Sequence, residues 1–112
     1  MKIYHNSRCS KSRQGLCILN DAQVDFEVID YLNNPPTKNE LTEILKLLNF
    51  KPIELVRKGE AIWKENFKGK VLTDDAIIQA MTDFPKLIER PIVVNNGKAV
   101  IGRPPESILS IL

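Results

Sequence analysis

Residues 95–98 read Asn-Asn-Gly-Lys and stand between two short apolar runs, Pro91-Ile92-Val93-Val94 and Ala99-Val100-Ile101. Asn-Gly tolerates the left-handed backbone that a two-residue hairpin turn demands, so two antiparallel strands are expected here. The N-terminus carries a second constraint. Lys2-Ile3-Tyr4 is a strand candidate, Asn6 to Lys11 a polar loop, and Leu16-Cys17-Ile18-Leu19 an apolar run with helix-compatible neighbours. Val24 to Ile29 then alternates Val24, Phe26 and Val28 with Asp25 and Glu27, the period of a strand. Strand, helix, strand at this spacing predicts a βαβ unit with parallel strands.

The middle of the chain is punctuated differently. Asn33-Asn34-Pro35-Pro36 breaks any element, and Thr37 with Glu40 forms a capping-box pattern ahead of Leu41, Ile44, Leu45 and Leu48. Pro52 opens a short helix through Val56, which delivers Arg57-Lys58-Gly59 into a loop. Thr73 caps another helix, with Ile77, Ala80, Met81 and Phe84 on one face, and Pro85 ends it. Gly102-Arg103-Pro104-Pro105 leads into a last helix, Glu106 to Leu112. The expectation is an α/β fold: a four-stranded mixed sheet with helices on its faces. One domain spans residues 1–112, with a helical insertion at about 37–88 between the βαβ and ββα units.

Bulk properties exclude several functions. With 112 residues, 43% of them hydrophobic and 27% charged, the chain can build one core without a disulfide or metal. No apolar leader segment opens it and no run is long enough to span a bilayer, so a cytoplasmic protein without a membrane partner is expected. Sixteen basic against 14 acidic residues, a net charge of +2, is too balanced for a dedicated nucleic-acid binder. Two cysteines are too few for a disulfide framework and point to thiol chemistry.

That chemistry centres on "YHNSRCSKSR", Tyr4 to Arg13. Cys9 is expected just ahead of the first helix, where free backbone N–H groups and the positive end of the helix dipole favour a thiolate. Arg8, Lys11 and Arg13 add nearby charge, and Ser10 and Ser12 carry hydroxyls able to donate to the sulfur. Between arginine and serine Cys9 has no apolar neighbours to pack against, so a reactive thiol outweighs a packing one. Cys17, between Leu16 and Ile18, reads as a small core residue instead. Eight helical residues would separate the two Cα atoms by roughly 12 Å, whereas a disulfide needs less than about 7 Å. With Ser12 where a Cys-x-x-Cys motif would have its second thiol, an external thiol must complete any redox cycle. Four zinc ligands are lacking, and a phosphatase-type loop fails because Gly15 stands where its arginine would be.

The chain resembles the glutaredoxin-dependent arsenate reductases of thioredoxin-like fold. Six ordered blocks carry the resemblance: "IYHNSRCSKSR", "YLNNPPTKNEL", "ELVRKGE", "TDDAIIQAM", "ERPIVV" and "GRPPE". It implies a nucleophile at Cys9, oxyanion-binding arginines at Arg57, Arg90 and Arg103, a histidine at His5 that influences the thiol, the motif serine at Ser12, and a cis-proline at Pro91. Many relatives have proline where this chain has Ser7, and many continue beyond the last helix. Guanidinium groups suit such a site, because they grip an oxyanion through paired hydrogen bonds and offset the repulsion between anion and thiolate.

The function implied is reduction of arsenate to arsenite through an arsenothiolate on Cys9, with glutathione as co-substrate, glutaredoxin as partner, and no tightly bound cofactor or metal. A monomer is expected. Two alternatives share the fold: a glutathione-dependent thiol reductase of another substrate, and a thiol-responsive regulator that binds RNA polymerase. Known regulators of that kind sense through Cys-x-x-Cys, which Ser12 removes here.

Overall fold

The computed structural model describes all residues from Met1 to Leu112. The chain divides into two compact units, Met1–Asn34 with Arg90–Leu112, and Pro35–Glu89. The first contains β1 (Lys2–His5), α1 (Ser10–Asp21), β2 (Glu27–Asp30), β3 (Ile92–Asn95), β4 (Lys98–Ile101) and a closing 3-10 helix, Pro105–Ile111. The strands lie in the order β2-β1-β3-β4. β1 runs parallel to β2 and antiparallel to β3, and β4 is antiparallel to β3. The expected mixed sheet is present, and its hairpin closes where Asn-Gly placed it: Asn95 pairs with Lys98, with Asn96 at φ 49° and Gly97 at φ 73°.

The core of this unit takes one fully buried residue from each of four elements: Ile3 of β1, Leu19 of α1, Val93 of β3 and Ile108 of the closing helix. Truncating Ile3, Leu19 or Ile108 to alanine is expected to cost about 2–5 kcal/mol. Helix α1 turns Ser12, Gly15 and Leu19 inward, a line of residues three and four apart. Cys17 corrects the sequence expectation, for it is exposed rather than packed. At about 100° per residue it lies roughly 200° around the helix from both Gly15 and Leu19. Its apolar neighbours Leu16 and Ile18 only flank the core.

β2 is shorter and later than the alternation from Val24 to Ile29 suggested. Val24 and Phe26 do pack against the core, but ahead of the strand. Pairing begins at Glu27, whose N–H donates to the Met1 carbonyl at 2.9 Å. Val28, expected inward, is 47% exposed, because β2 is an edge strand of the sheet.

The second unit contains α2 (Lys38–Leu48), a 3-10 turn at Pro52–Leu55, α3 (Ala61–Asn66), α4 (Asp74–Asp83) and a 3-10 turn at Pro85–Leu87. The capping box is present: the Glu40 N–H donates to Thr37 Oγ1 at 3.1 Å and the Thr37 N–H to Glu40 Oε1 at 3.2 Å. Leu41, Ile44 and Leu45 of α2 are buried, as are Ile77, Ile78, Ala80 and Met81 of α4. Phe84, expected on that buried face, is 38% exposed. It follows the last turn of α4 and meets the edge of Phe67, which stacks on Trp63. α3 has no side-chain cap and was not foreseen. An isolated antiparallel bridge, Val56 with Ile88, sets Arg57 beside Glu89.

Candidate active site

Cys9 is the N-cap of α1, with extended backbone at φ −98° and ψ 124°. Its carbonyl accepts the Arg13 N–H at 3.0 Å, starting the helix, and its own N–H donates to the Asn6 carbonyl at 3.0 Å, closing the loop from β1. The sulfur therefore sits at the end of α1 whose backbone donors have no helical acceptors. Burial pushes the Cys9 thiol up, but the Ser12 backbone N–H, the Arg90 side chain, the Lys11 backbone N–H and the Arg90 charge together outweigh it. The thiol is held below its ordinary value. Arg103 adds a donor, with Nη2 3.4 Å from Cys9 Sγ while its Nε donates to the Arg90 carbonyl at 2.8 Å. One guanidinium thus ties two loops to the sulfur.

Behind the thiol, Ser12 is fully buried and its Oγ lies 2.7 Å from His5 Nδ1 and accepts the Asn6 N–H at 2.9 Å. Its hydroxyl is committed to these partners, so it is the Ser12 backbone, not the side chain, that serves the sulfur. His5, in register with Asp30 on the parallel neighbour strand, is held below its ordinary value. Burial is the main cause; Asp30 and a Ser12 hydrogen bond pull upward, and Arg13 adds to the lowering. A neutral imidazole completes the network when the Ser12 hydroxyl donates to Nδ1 and the ring proton is on Nε2. Arg13, read as charge for Cys9, instead donates through Nη1 to the Ser7 carbonyl at 2.9 Å.

Pro91 is buried and follows a cis peptide from Arg90; a second cis peptide joins Arg103 to Pro104. Two glycines far apart in the chain, Gly15 and Gly102, make room for the Pro91 ring. A Cβ on Gly15 would stand 3.1 Å from Pro91 Cγ and 2.9 Å from Ile108 Cδ1. One on Gly102 would stand 2.7 Å from Pro91 Cγ. The signal for Gly15 was there: a glycine inside a helix costs about 1 kcal/mol relative to alanine, so it calls for a packing reason.

Of the three arginines singled out, Arg90 and Arg103 adjoin Cys9 in the first unit. Arg57 belongs to the helical unit, where Nη1 donates to Glu89 Oε1 at 3.1 Å and Nε lies 3.5 Å from Glu60 Oε1. These carboxylates orient its guanidinium. No three His, Cys, Asp or Glu side chains converge where they would hold a metal ion, and no helix is long and apolar enough to cross a membrane.

The sequence and the fold of the whole chain are shared with known proteins. The sequence profile of the ArsC family matches residues 4–111. The chain belongs to the ArsC family. It is 51% identical over 114 aligned residues to the uncharacterized protein YfgD of Escherichia coli K12, covering 100% of this chain and 96% of that one. It is 41% identical to an arsenate reductase of Neisseria meningitidis serogroup A, covering 100% of this chain and 97% of the relative. The solved structure of an arsenate reductase from Vibrio cholerae superimposes with a TM-score of 0.94 at 45% identity, over 100% of this chain and 98% of that one. The sheet and helices are thus the thioredoxin-like α/β arrangement of arsenate reductase structures in this ArsC group.

Proposed function

We propose that this ArsC-family protein is an arsenate reductase, with Cys9 as the nucleophile. The observation that carries the proposal is the Cys9 sulfur at the start of α1, held toward thiolate and met by Arg103 at 3.4 Å. Arsenate is a tetrahedral oxyanion, and a thiolate approaching it sets anion against anion. Arg90 and Arg103 offset that repulsion and stabilise charge on the arsenate oxygens during substitution. Arg57, oriented by Glu60 and Glu89 within the helical unit, is the arginine that the resemblance to arsenate reductases adds to the oxyanion-binding role. Ser12 and His5 hold the loop behind the sulfur.

In the first step the Cys9 thiolate forms a sulfur–arsenic bond and one arsenate oxygen leaves, protonated, as water. Glutathione replaces a second oxygen to give an adduct in which arsenic bridges Cys9 and the glutathione sulfur. A glutaredoxin thiolate then attacks the glutathione sulfur. The sulfur–arsenic pair of electrons passes to arsenic, which falls from As(V) to As(III), while the two thiols become a mixed disulfide. Water releases arsenite and regenerates Cys9. All reducing equivalents come from thiols, so the proposed cycle takes place in the reducing cytoplasm and uses no tightly bound cofactor. Cys17 takes no part, for its Cα lies roughly 12 Å along the helix from that of Cys9.

The test is arsenate-dependent NADPH oxidation with glutathione, glutaredoxin and glutathione reductase. Turnover by the wild-type chain and by Cys17→Ser, with none by Cys9→Ser, is the expected outcome. Absence of arsenate dependence with pure, folded protein sinks the proposal and leaves thiol reduction of another substrate as the function to pursue.

A further inference from the structure

Asn6 stands between β1 and the nucleophile and has no part in the chemistry above, yet it is 8% exposed and makes three directed hydrogen bonds. Its N–H donates to Ser12 Oγ at 2.9 Å, and its carbonyl accepts the Cys9 N–H at 3.0 Å. Its side-chain Oδ1 accepts the Arg8 N–H at 3.0 Å. The carbonyl bond closes a four-residue turn, Asn6-Ser7-Arg8-Cys9, whose last residue is the cap of α1. The bond from its N–H ties the start of that turn to the helix it leads into.

The side-chain bond has a separate effect. In a four-residue turn the bond between first and last residues leaves the middle peptide free to flip, and the two orientations are different turn types. The middle peptide here is Ser7–Arg8, and its N–H is the group that Asn6 Oδ1 holds. Asparagine at the first position supplies this bond because its short amide reaches the backbone two residues on. Ser7, unlike a proline at the second position, leaves that backbone unrestrained in φ. The amide of Asn6 therefore holds the N–H side of the Ser7–Arg8 peptide, one link before the peptide that enters Cys9, while the exposed Arg13 guanidinium donates to its carbonyl side at 2.9 Å.

We propose that Asn6 is a positioning residue for the nucleophile: its side-chain amide pins the Ser7–Arg8 peptide so that Cys9 presents its sulfur to the α1 N-terminus and to Arg90 and Arg103. It touches no reacting atom, and the inference rests on Cys9 being the reactive thiol. The charged groups facing the sulfur are Arg90 and Arg103; His5 lies behind Ser12, with Asp30 next to it on β2. Freed of its restraint, the loop would let the sulfur leave these donors, and the thiol would become less acidic and less reactive.

The experiment reads the thiol directly, without arsenate. In a Cys17→Ser background, the rate of Cys9 alkylation by iodoacetamide is followed against pH for the parent, Asn6→Ala and Asn6→Ser, with amide hydrogen exchange at Arg8 measured alongside. Asn6→Ala is expected to lose protection at Arg8, to move the alkylation midpoint to higher pH, and to slow alkylation at neutral pH by about threefold or more. Asn6→Ser, whose hydroxyl makes the same turn bond more weakly, should fall between. If Asn6→Ala does not fold, Asn6→Ser alone must still raise the midpoint. A folded variant that loses Arg8 protection and keeps the parent midpoint overturns the proposal, as does an Arg8 amide unprotected in the parent. Failure of the parent to reduce arsenate would sink the proposed function and leave this measurement readable.

Discussion

Replacing Ser12 by alanine removes one oxygen from a fully buried position and leaves two partners without it. The Asn6 N–H loses its acceptor, and His5 Nδ1, in a ring only 8% exposed, loses its hydrogen bond. Each buried polar group left unsatisfied costs about 1–3 kcal/mol, and because both meet at one oxygen the two penalties overlap, giving about 2–4 kcal/mol together. At an unfolding entropy of about 2.1 cal/mol/K per residue, 112 residues carry about 0.24 kcal/mol/K, so the melting temperature should fall by about 9–17 °C. Calorimetry and guanidinium titration at neutral pH measure this, with Ser10→Ala, an exposed serine two residues earlier, expected within about 0.5 kcal/mol of wild type. A loss from Ser12→Ala as small as that of Ser10→Ala would refute the reasoning. The hydroxyl would then not be what satisfies the two buried groups.

Four further outcomes follow from the same geometry. Cys9 should be alkylated with a midpoint below the ordinary thiol value, because the folded site favours thiolate. Arg90→Gln, which removes the charge that helps hold the thiol down, should move that midpoint up and slow alkylation at neutral pH. His5 is held below the ordinary histidine value of 6.5, so the fold favours the neutral ring. Its contribution is complete above that value and is lost as pH falls through the lower folded value. The stability difference between pH 8 and pH 5, measured by chemical denaturation, should shrink in His5→Gln; an unchanged difference would remove His5 from the account. Gly102→Ala would bring a Cβ to 2.7 Å from the Pro91 ring, overpacking expected to cost about 1–3 kcal/mol. Gly59→Ala, where nothing lies within 4 Å, is the comparison, and equal losses would show that the ring is not held in a glycine slot.

Much of the fold was legible because its signals are local. The Thr37 capping box, the Asn96-Gly97 turn and the Thr73 cap each act through residues within about four positions. A short stretch therefore carries the whole instruction. The misreadings share a cause. Leu16-Cys17-Ile18-Leu19 is apolar throughout, and only the packing of α1 decided that Leu19 turns inward and Cys17 out. Val28 alternates correctly and still ends up exposed, because position in the sheet, not period, sets how much cover an edge strand receives. Phe84 follows the helical period but lies beyond the last turn of α4.

The candidate site divides along the same line. Residues 5–13 carry the helix start, the cap position of Cys9 and the serine behind it, all within a few residues, so the sequence alone sufficed to put Cys9 at the N-terminus of α1. Tertiary structure decided what surrounds the sulfur. Arg103 reaches it across 94 positions of chain, and the Pro91 ring fits between Gly15 and Gly102. The Ser12 hydroxyl goes to His5 and Asn6 rather than to the thiol. Caps and turns are settled by backbone torsions and neighbouring side chains, whereas the partners of a buried hydroxyl or a guanidinium are settled by which strands and loops the core draws together.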